Sequence, residues 1–297
     1  LDATALPDRK SRYTFVSNHR DIVLDSAYLS CLLVKNGYET TVEIAIGDNL
    51  LIKPWIKDIV RVNKAFIVQR SLSMREMLEA SKTMSRYMHF AINEKHENIW
   101  IAQREGRAKD SDDRTQESLL KMLAMGGEGG LVESLKQLNI APLAISYEYD
   151  PCDFLKAKEF QLKRDNENYK KTQADDMANM QTGILGYKGR VHYQTGKPVN
   201  EWIDEYATLP KGEIFKAIAA RMDREIHANY RLFPGNYIAA DMLDGKEDFK
   251  AHYTADDRQR FEAYLAKKLS LIDVPNKDEA FLRERILTMY ANPVFNK

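Results

Sequence analysis

Charge of one sign, cysteine, long apolar runs and clustered metal ligands are all scarce in this chain, and each scarcity excludes a class of function. Lys+Arg and Asp+Glu both number 44 in 297 residues, so no global field draws the chain to nucleic acid or other polyanions. The longest uninterrupted apolar run is four residues, too short for a transmembrane span or a secretory h-region. Two cysteines, Cys31 and Cys152, cannot build a disulfide framework, and an intracellular protein is expected. The six histidines stand singly, with no His or Cys pair at ligand spacing, which argues against a metal centre. No GxSxG motif is present, and Cys31 sits mid-helix on what reads as a buried face, so neither a Ser nor a Cys nucleophile is indicated. The chain opens on LDATALPDRK without an initiator Met, and is expected to be a piece of a longer protein, with an N-terminal anchor missing.

What is present is an alternation of short β-branched runs and amphipathic stretches, the pattern of a sheet covered by helices. YTFVSN (13 to 18), VEIAIG (42 to 47), AFIVQR (65 to 70), NIWIAQ (98 to 103) and NIAPLAISYEY (139 to 149) are strand-like. Between them lie DSAYLSCLLVKNG (25 to 37), which ends on a Gly stop, and a helical stretch over 71 to 95. Gly126, Gly127, Gly129 and Gly130 do not follow a strand, so a phosphate-binding GxGxxG is rejected there in favour of a flexible surface turn. Residues 153 to 182 are polar without clear period and suggest an exposed helix or insertion. GRVHYQTGKPV (189 to 199) alternates at period two as a last strand, and beyond about residue 205 the pattern turns helical. The expected fold is α/β, a central mixed sheet flanked by helices, with 1–204 as the catalytic domain and 205–297 as a helical extension packed on it.

One histidine sits where an open α/β sheet places its ligands. His19 follows the strand YTFVSN and precedes a helix, so it emerges at a strand's carboxyl end. Asp21 and Asp25 lie just beyond. A carboxylate within reach of an imidazole fixes its tautomer and raises its basicity, giving a general base for a hydroxyl. The bland alternative is a loop histidine beside a helix-capping Asp. Cations close two other strands: Arg70 ends AFIVQR, and Arg104, Glu105, Gly106, Arg107 and Lys109 follow NIWIAQ. Arg offers a planar fork that matches phosphate oxygens, and a neighbouring Gly lets the backbone approach an anion.

In chain order these segments resemble the four blocks of the glycerophospholipid acyltransferase superfamily. SNHRDIVLD is similar to the His/Asp block, KAFIVQR to the block ending in Arg, IWIAQREGRAKD to the strand followed by Glu-Gly and a basic residue, and NIAPLAISYEYDP to the fourth, with GRVHYQTGKPV behind them. The likeness runs from about 13 to 199. Two departures stand out. The family separates its His and Asp by four residues, whereas five separate His19 from Asp25 and one separates it from Asp21; aligning the following helix favours Asp25, with Asp21 left open. Where the family's third block reads Glu-Gly-x-Arg, the position of that Arg is Ala108 here, between Arg107 and Lys109, and either could replace it.

The resemblance implies a fatty acyl transfer from acyl-CoA or acyl-carrier protein to a hydroxyl of glycerol-3-phosphate or a lysophospholipid, with no cofactor. His19 would be the base, Asp25 its orienting partner, and Arg70, Glu105, Gly106 and a cation from Arg107 or Lys109 the holder of the acceptor's phosphate. The Tyr147-Glu148 ending of block four leans toward the glycerol-3-phosphate branch. A catalytically silent, lipid-binding or partner-binding homologue and a thioesterase-like hydrolase are the competing readings. The partners expected are the donor, the acceptor and a membrane surface, with no nucleic acid. The expected location is cytoplasmic and peripheral on the membrane, through DNLLIKPWIKDIVR (48 to 61) or the C-terminal helices.

Overall fold

The computed structural model describes residues 1–48, 51, 54–69 and 73–297. Among them a six-stranded sheet forms in the order β3-β2-β4-β1-β5-β6. Its strands are β1 (Thr14–Ser17), β2 (Val42–Gly47), β3 (Ala65–Val68), β4 (Asn98–Ala102), β5 (Ile140–Tyr147) and β6 (Val191–Thr195). The first five run parallel and β6 pairs antiparallel with β5, so the sheet is mixed, as expected.

Alternation explains the layers. In β1, Phe15 faces Leu29 and Leu33 of α1 (Leu24–Lys35), together with Trp100 and Tyr147. Val16, next to it, faces the opposite layer, built from α3 (Met74–Asn93), α4 (Glu117–Leu123), α5 (Leu131–Gln137) and α8 (Lys211–Ala228). Both faces are covered, which is why the strands read as short continuous apolar runs. A second core joins α6 (Asp153–Asp165) to α9 (Pro234–Asp244), α10 (Ala255–Ser270) and α11 (Glu279–Asn296) around Phe261, Leu265, Leu282 and Ile286. Helices α2 (Pro54–Val62) and α7 (Gln173–Leu185) complete the set.

Three expectations need correction. Cys31 does not lie on a buried face: the buried stripe of α1 runs through Asp25, Ser26, Leu29 and Leu33, which leaves Cys31 exposed. Residues 153–165 are not an exposed insertion: α6 buries Asp153, Lys156, Glu159 and Gln161, whose polar ends find partners inside, so a polar sequence hides a buried helix. The glycines at 126 and 127 are not a free turn either. A Cβ on Gly126 would come within 2.5 Å of the α3 backbone, and one on Gly127 within 2.3 Å of Ser134 and 2.5 Å of His89, so close packing selects glycine there.

Strands β1 and β4 are neighbours, and the loops that leave their carboxyl ends, 18–23 and 103–116, lie side by side. Gln103 N–H donates to Ser17 O at 2.8 Å across this junction. A parallel sheet collects ligands at that edge.

Candidate active site

The turn after β1 is held before it reaches His19. Ser17 Oγ accepts from Trp100 Nε1 at 2.9 Å, and the Asn18 amide spans to β5, donating to Ile145 O and accepting from Ile145 N at 2.9 and 2.8 Å. The His19 ring then packs on Trp100, centroids 5.4 Å apart in an edge-to-face arrangement. Its Nδ1 lies 2.8 Å from Asp25 Oδ2.

Asp25, in the first turn of α1, is fully buried, and each of its oxygens is occupied. Oδ2 also accepts the backbone N–H groups of Arg20 (2.6 Å) and Asp21 (3.0 Å), and Oδ1 accepts the Tyr147 hydroxyl (2.9 Å). Four donors around one carboxylate suit an acceptor-only group, so Nδ1 carries the imidazole proton and Nε2 keeps the lone pair. Asp21 does something else. Its Oδ1 accepts from the N–H groups of Val23 and Leu24 at 2.9 and 2.8 Å, capping the turn that starts α1. Burial, with the Asp25 charge beside it, pushes the Asp21 carboxyl above its ordinary value. Between the two candidates, the structure pairs His19 with Asp25.

The loop after β4 brings Arg104, Glu105, Gly106, Arg107 and Lys109 to the same cavity as His19. Gly106 takes φ +68°, a left-handed turn that other side chains rarely accept. The two candidate cations differ. Lys109 is ion-paired with Glu159, which also meets Lys163 at 3.0 Å, and burial pulls its pKa below the ordinary lysine value. Arg107 donates Nη2 to Asn179 Oδ1 of α7 at 3.0 Å, while its buried Nη1 has no acceptor among the described residues. The cavity, about 2490 Å³, runs between the sheet, α2 and α3 on one side and α7 on the other. Ile44, Phe66, Met84, Trp100, Met177 and Ile184 give it a mostly apolar wall, with His19 and the cations where it turns polar.

A sequence model of the acyltransferase family matches residues 3–146, the stretch that carries His19, Asp25 and the loop after β4. The match spans just under half of the chain. No curated protein shows a significant sequence match. Among solved structures, the 1-acyl-sn-glycerophosphate (LPA) acyltransferase PlsC from Thermotoga maritima is similar over 76% of this chain and 71% of its own, at 12% identity and a TM-score of 0.41.

Within this site, sequence reasoning missed two supports of the His/Asp pair. One is the Tyr147 hydroxyl, whose neighbour Glu148 turns outward to Arg190 at 3.0 Å. The other is Arg20, buried between the two and paired with Asp113 of the β4 loop. Period-two alternation places Tyr147 on the same face as Ile145 and Leu143, which was the signal available for it. Arg70 lies outside the described residues, as do several positions of the 48–61 stretch. Among the described residues, no group of His, Cys, Asp and Glu is arranged to hold a metal ion, and no helix is long and apolar enough to cross a membrane.

Proposed function

We propose that this acyltransferase moves a fatty acyl group from the thioester of acyl-CoA or acyl-carrier protein to a hydroxyl of glycerol-3-phosphate or a lysophospholipid at a membrane surface. The observation that carries the reading is the His19–Asp25 pair, 2.8 Å apart, in one cavity with Arg104 and Arg107. In this reading His19 Nε2 takes the acceptor's hydroxyl proton as the oxygen bonds to the thioester carbonyl carbon. The C–S bond then breaks, and the departing sulfur receives the proton from the imidazolium. Asp25 holds the ring and balances its transient charge. Arg107 is the better phosphate holder of the two block-three cations, since Lys109 is already matched by Glu159. The apolar wall takes the acyl chain.

Labelled acyl-CoA and acyl-carrier protein, each incubated with a panel of acceptors, test the proposal. Thiol release that depends on a glycerol-phosphate or lysophospholipid acceptor, and its loss by about 10² to 10⁴-fold in His19→Ala, are expected. Release without an acceptor would make the protein a hydrolase, and no release with any acceptor would remove the enzymatic reading.

A further inference from the structure

Among the described residues, none of the C-terminal helices lines the cavity that holds His19, yet one of them, with the residue just beyond it, grips the β4 loop at three points. Thr115 donates both its N–H and its hydroxyl to Asp223 of α8, at 2.8 and 2.6 Å. His227, at the end of α8, donates Nε2–H to Asp113 O at 2.8 Å. Tyr230, just beyond α8, donates its hydroxyl to Asp113 Oδ2 at 2.5 Å. Asp113 in turn receives both guanidinium nitrogens of Arg20, at 3.1 and 2.6 Å, and all six side chains are buried. Arg20 is the residue between His19 and Asp21, and its own N–H donates to Asp25 Oδ2 at 2.6 Å.

The bonds therefore form an unbroken line from Tyr230 through Asp113 and Arg20 to the carboxylate that orients His19. A guanidinium and a carboxylate in bidentate contact leave little angular freedom, and inside the protein such pairs hold geometry more than they add stability. Arg20 occupies both Asp113 oxygens, and the Tyr230 hydroxyl adds a second donor on Oδ2 that ties this carboxylate to the segment after α8. On the reading that His19 is the base, we infer that Tyr230 is a positioning residue: it acts through Asp113 and Arg20 to hold the 18–25 turn in the conformation that presents Nε2.

The experiment uses the full chain and Tyr230→Phe, which keeps the ring and removes only the hydroxyl. Amide hydrogen exchange of 18–25 is followed against 140–147 of β5 as an internal reference. The inference expects exchange in 18–25 to speed up at least tenfold while β5 is unchanged, and kcat to fall about tenfold with both KM values within twofold. Unchanged exchange in 18–25 overturns the inference, as does a uniform acceleration everywhere, since that would make Tyr230 a plain stability contact. Faster local exchange with an unaltered kcat also overturns it. A wild-type chain inactive with every donor and acceptor would sink the proposed function, while the exchange arm still decides whether Tyr230 holds the turn.

Discussion

Asp25→Asn removes a charge from the centre of the site with little change of shape, and the surrounding donors dictate how the amide must sit. Three N–H groups, from His19, Arg20 and Asp21, converge on Oδ2, so the amide oxygen has to take that position. The NH₂ group then faces Tyr147, whose phenol oxygen can accept instead of donating. The imidazole keeps its proton on Nδ1, and on the proposed mechanism what is lost is the charge that balances the imidazolium as it forms. A lower bound is the gap between a hydrogen bond to a charged and to a neutral acceptor, about 1 kcal/mol. An upper bound is the Coulomb term for charges ~4 Å apart at an effective dielectric constant of 20, about 4 kcal/mol. In kcat these limits correspond to roughly 5-fold and 10³-fold, and about 10²-fold is expected with KM unchanged. Asp25→Ala differs in kind. It strips the acceptor from two backbone N–H groups and a buried phenol, at about 1–3 kcal/mol each, so it should unfold well before the Asn variant. Thiol release under saturating acceptor gives kcat, and calorimetry gives the melting temperatures. A kcat for Asp25→Asn within threefold of wild type, or a melting temperature as low as that of Asp25→Ala, would refute the reasoning.

Tyr147→Phe should lower kcat about three- to tenfold, by loss of a charge-assisted hydrogen bond to Asp25. In a double-mutant cycle its effect should not multiply with that of Asp25→Asn, because both act on one carboxylate; multiplying effects would separate them. Lys156→Met leaves the buried Asp150 without its cationic partner, at a cost of about 3–5 kcal/mol read by urea denaturation. Burial pushes the Asp150 carboxyl up, but the Lys156 ammonium pulls it further down, to a net value below the ordinary 3.8. Its stabilising share is therefore present above that unfolded value and lost as the pH falls through the lower folded one; the Met variant should instead gain stability on acidification. Native protein at pH 8 should take one equivalent of iodoacetamide, on exposed Cys31, while buried Cys152, its thiol pushed up to about 11 by burial and the Asp150 charge, stays unlabelled. Modification of both at similar rates would contradict the packing of Cys152 against Asn179.

The central strands were legible because β1, β4 and β5 are short runs buried on both faces and bounded by polar residues; VEIAIG also coincides with β2 over 42–47, and AFIV with β3 over 65–68. His19 was legible for the same reason, as the first titratable residue past a strand end. The choice between Asp21 and Asp25 was not, because spacing alone cannot tell a carboxylate that caps a helix turn from one that accepts an imidazole proton; Asp21 faces the N–H groups of Val23 and Leu24 instead. Nor could sequence separate Arg107 from Lys109, since the carboxylate that engages Lys109 lies on α6, fifty residues away. The α6 stretch misled outright. Its Lys, Glu and Gln side chains look solvated as a string, yet they are satisfied by partners distant in sequence, a compensation that no local pattern records.

The central position of β1 has a consequence for how the chain reaches this structure. Thr14 pairs with Ile99 on one side and Ile140 on the other, so the strand that leads to His19 waits for two much later strands before it is bonded on either edge. Contacts of such high sequence separation form slowly, because loop closure has to be completed before pairing rewards it. During synthesis, at ~5–20 residues per second, β1 would stay unpaired for several seconds after it is made, with Phe15 and Val16 exposed. The elements that brace the site, Tyr147, Asp113 and Tyr230, also follow it in the chain. The bracing of His19 is thus complete only once residue 230 has been made, and a chain truncated before it would display an unbraced apolar strand in place of the assembled site.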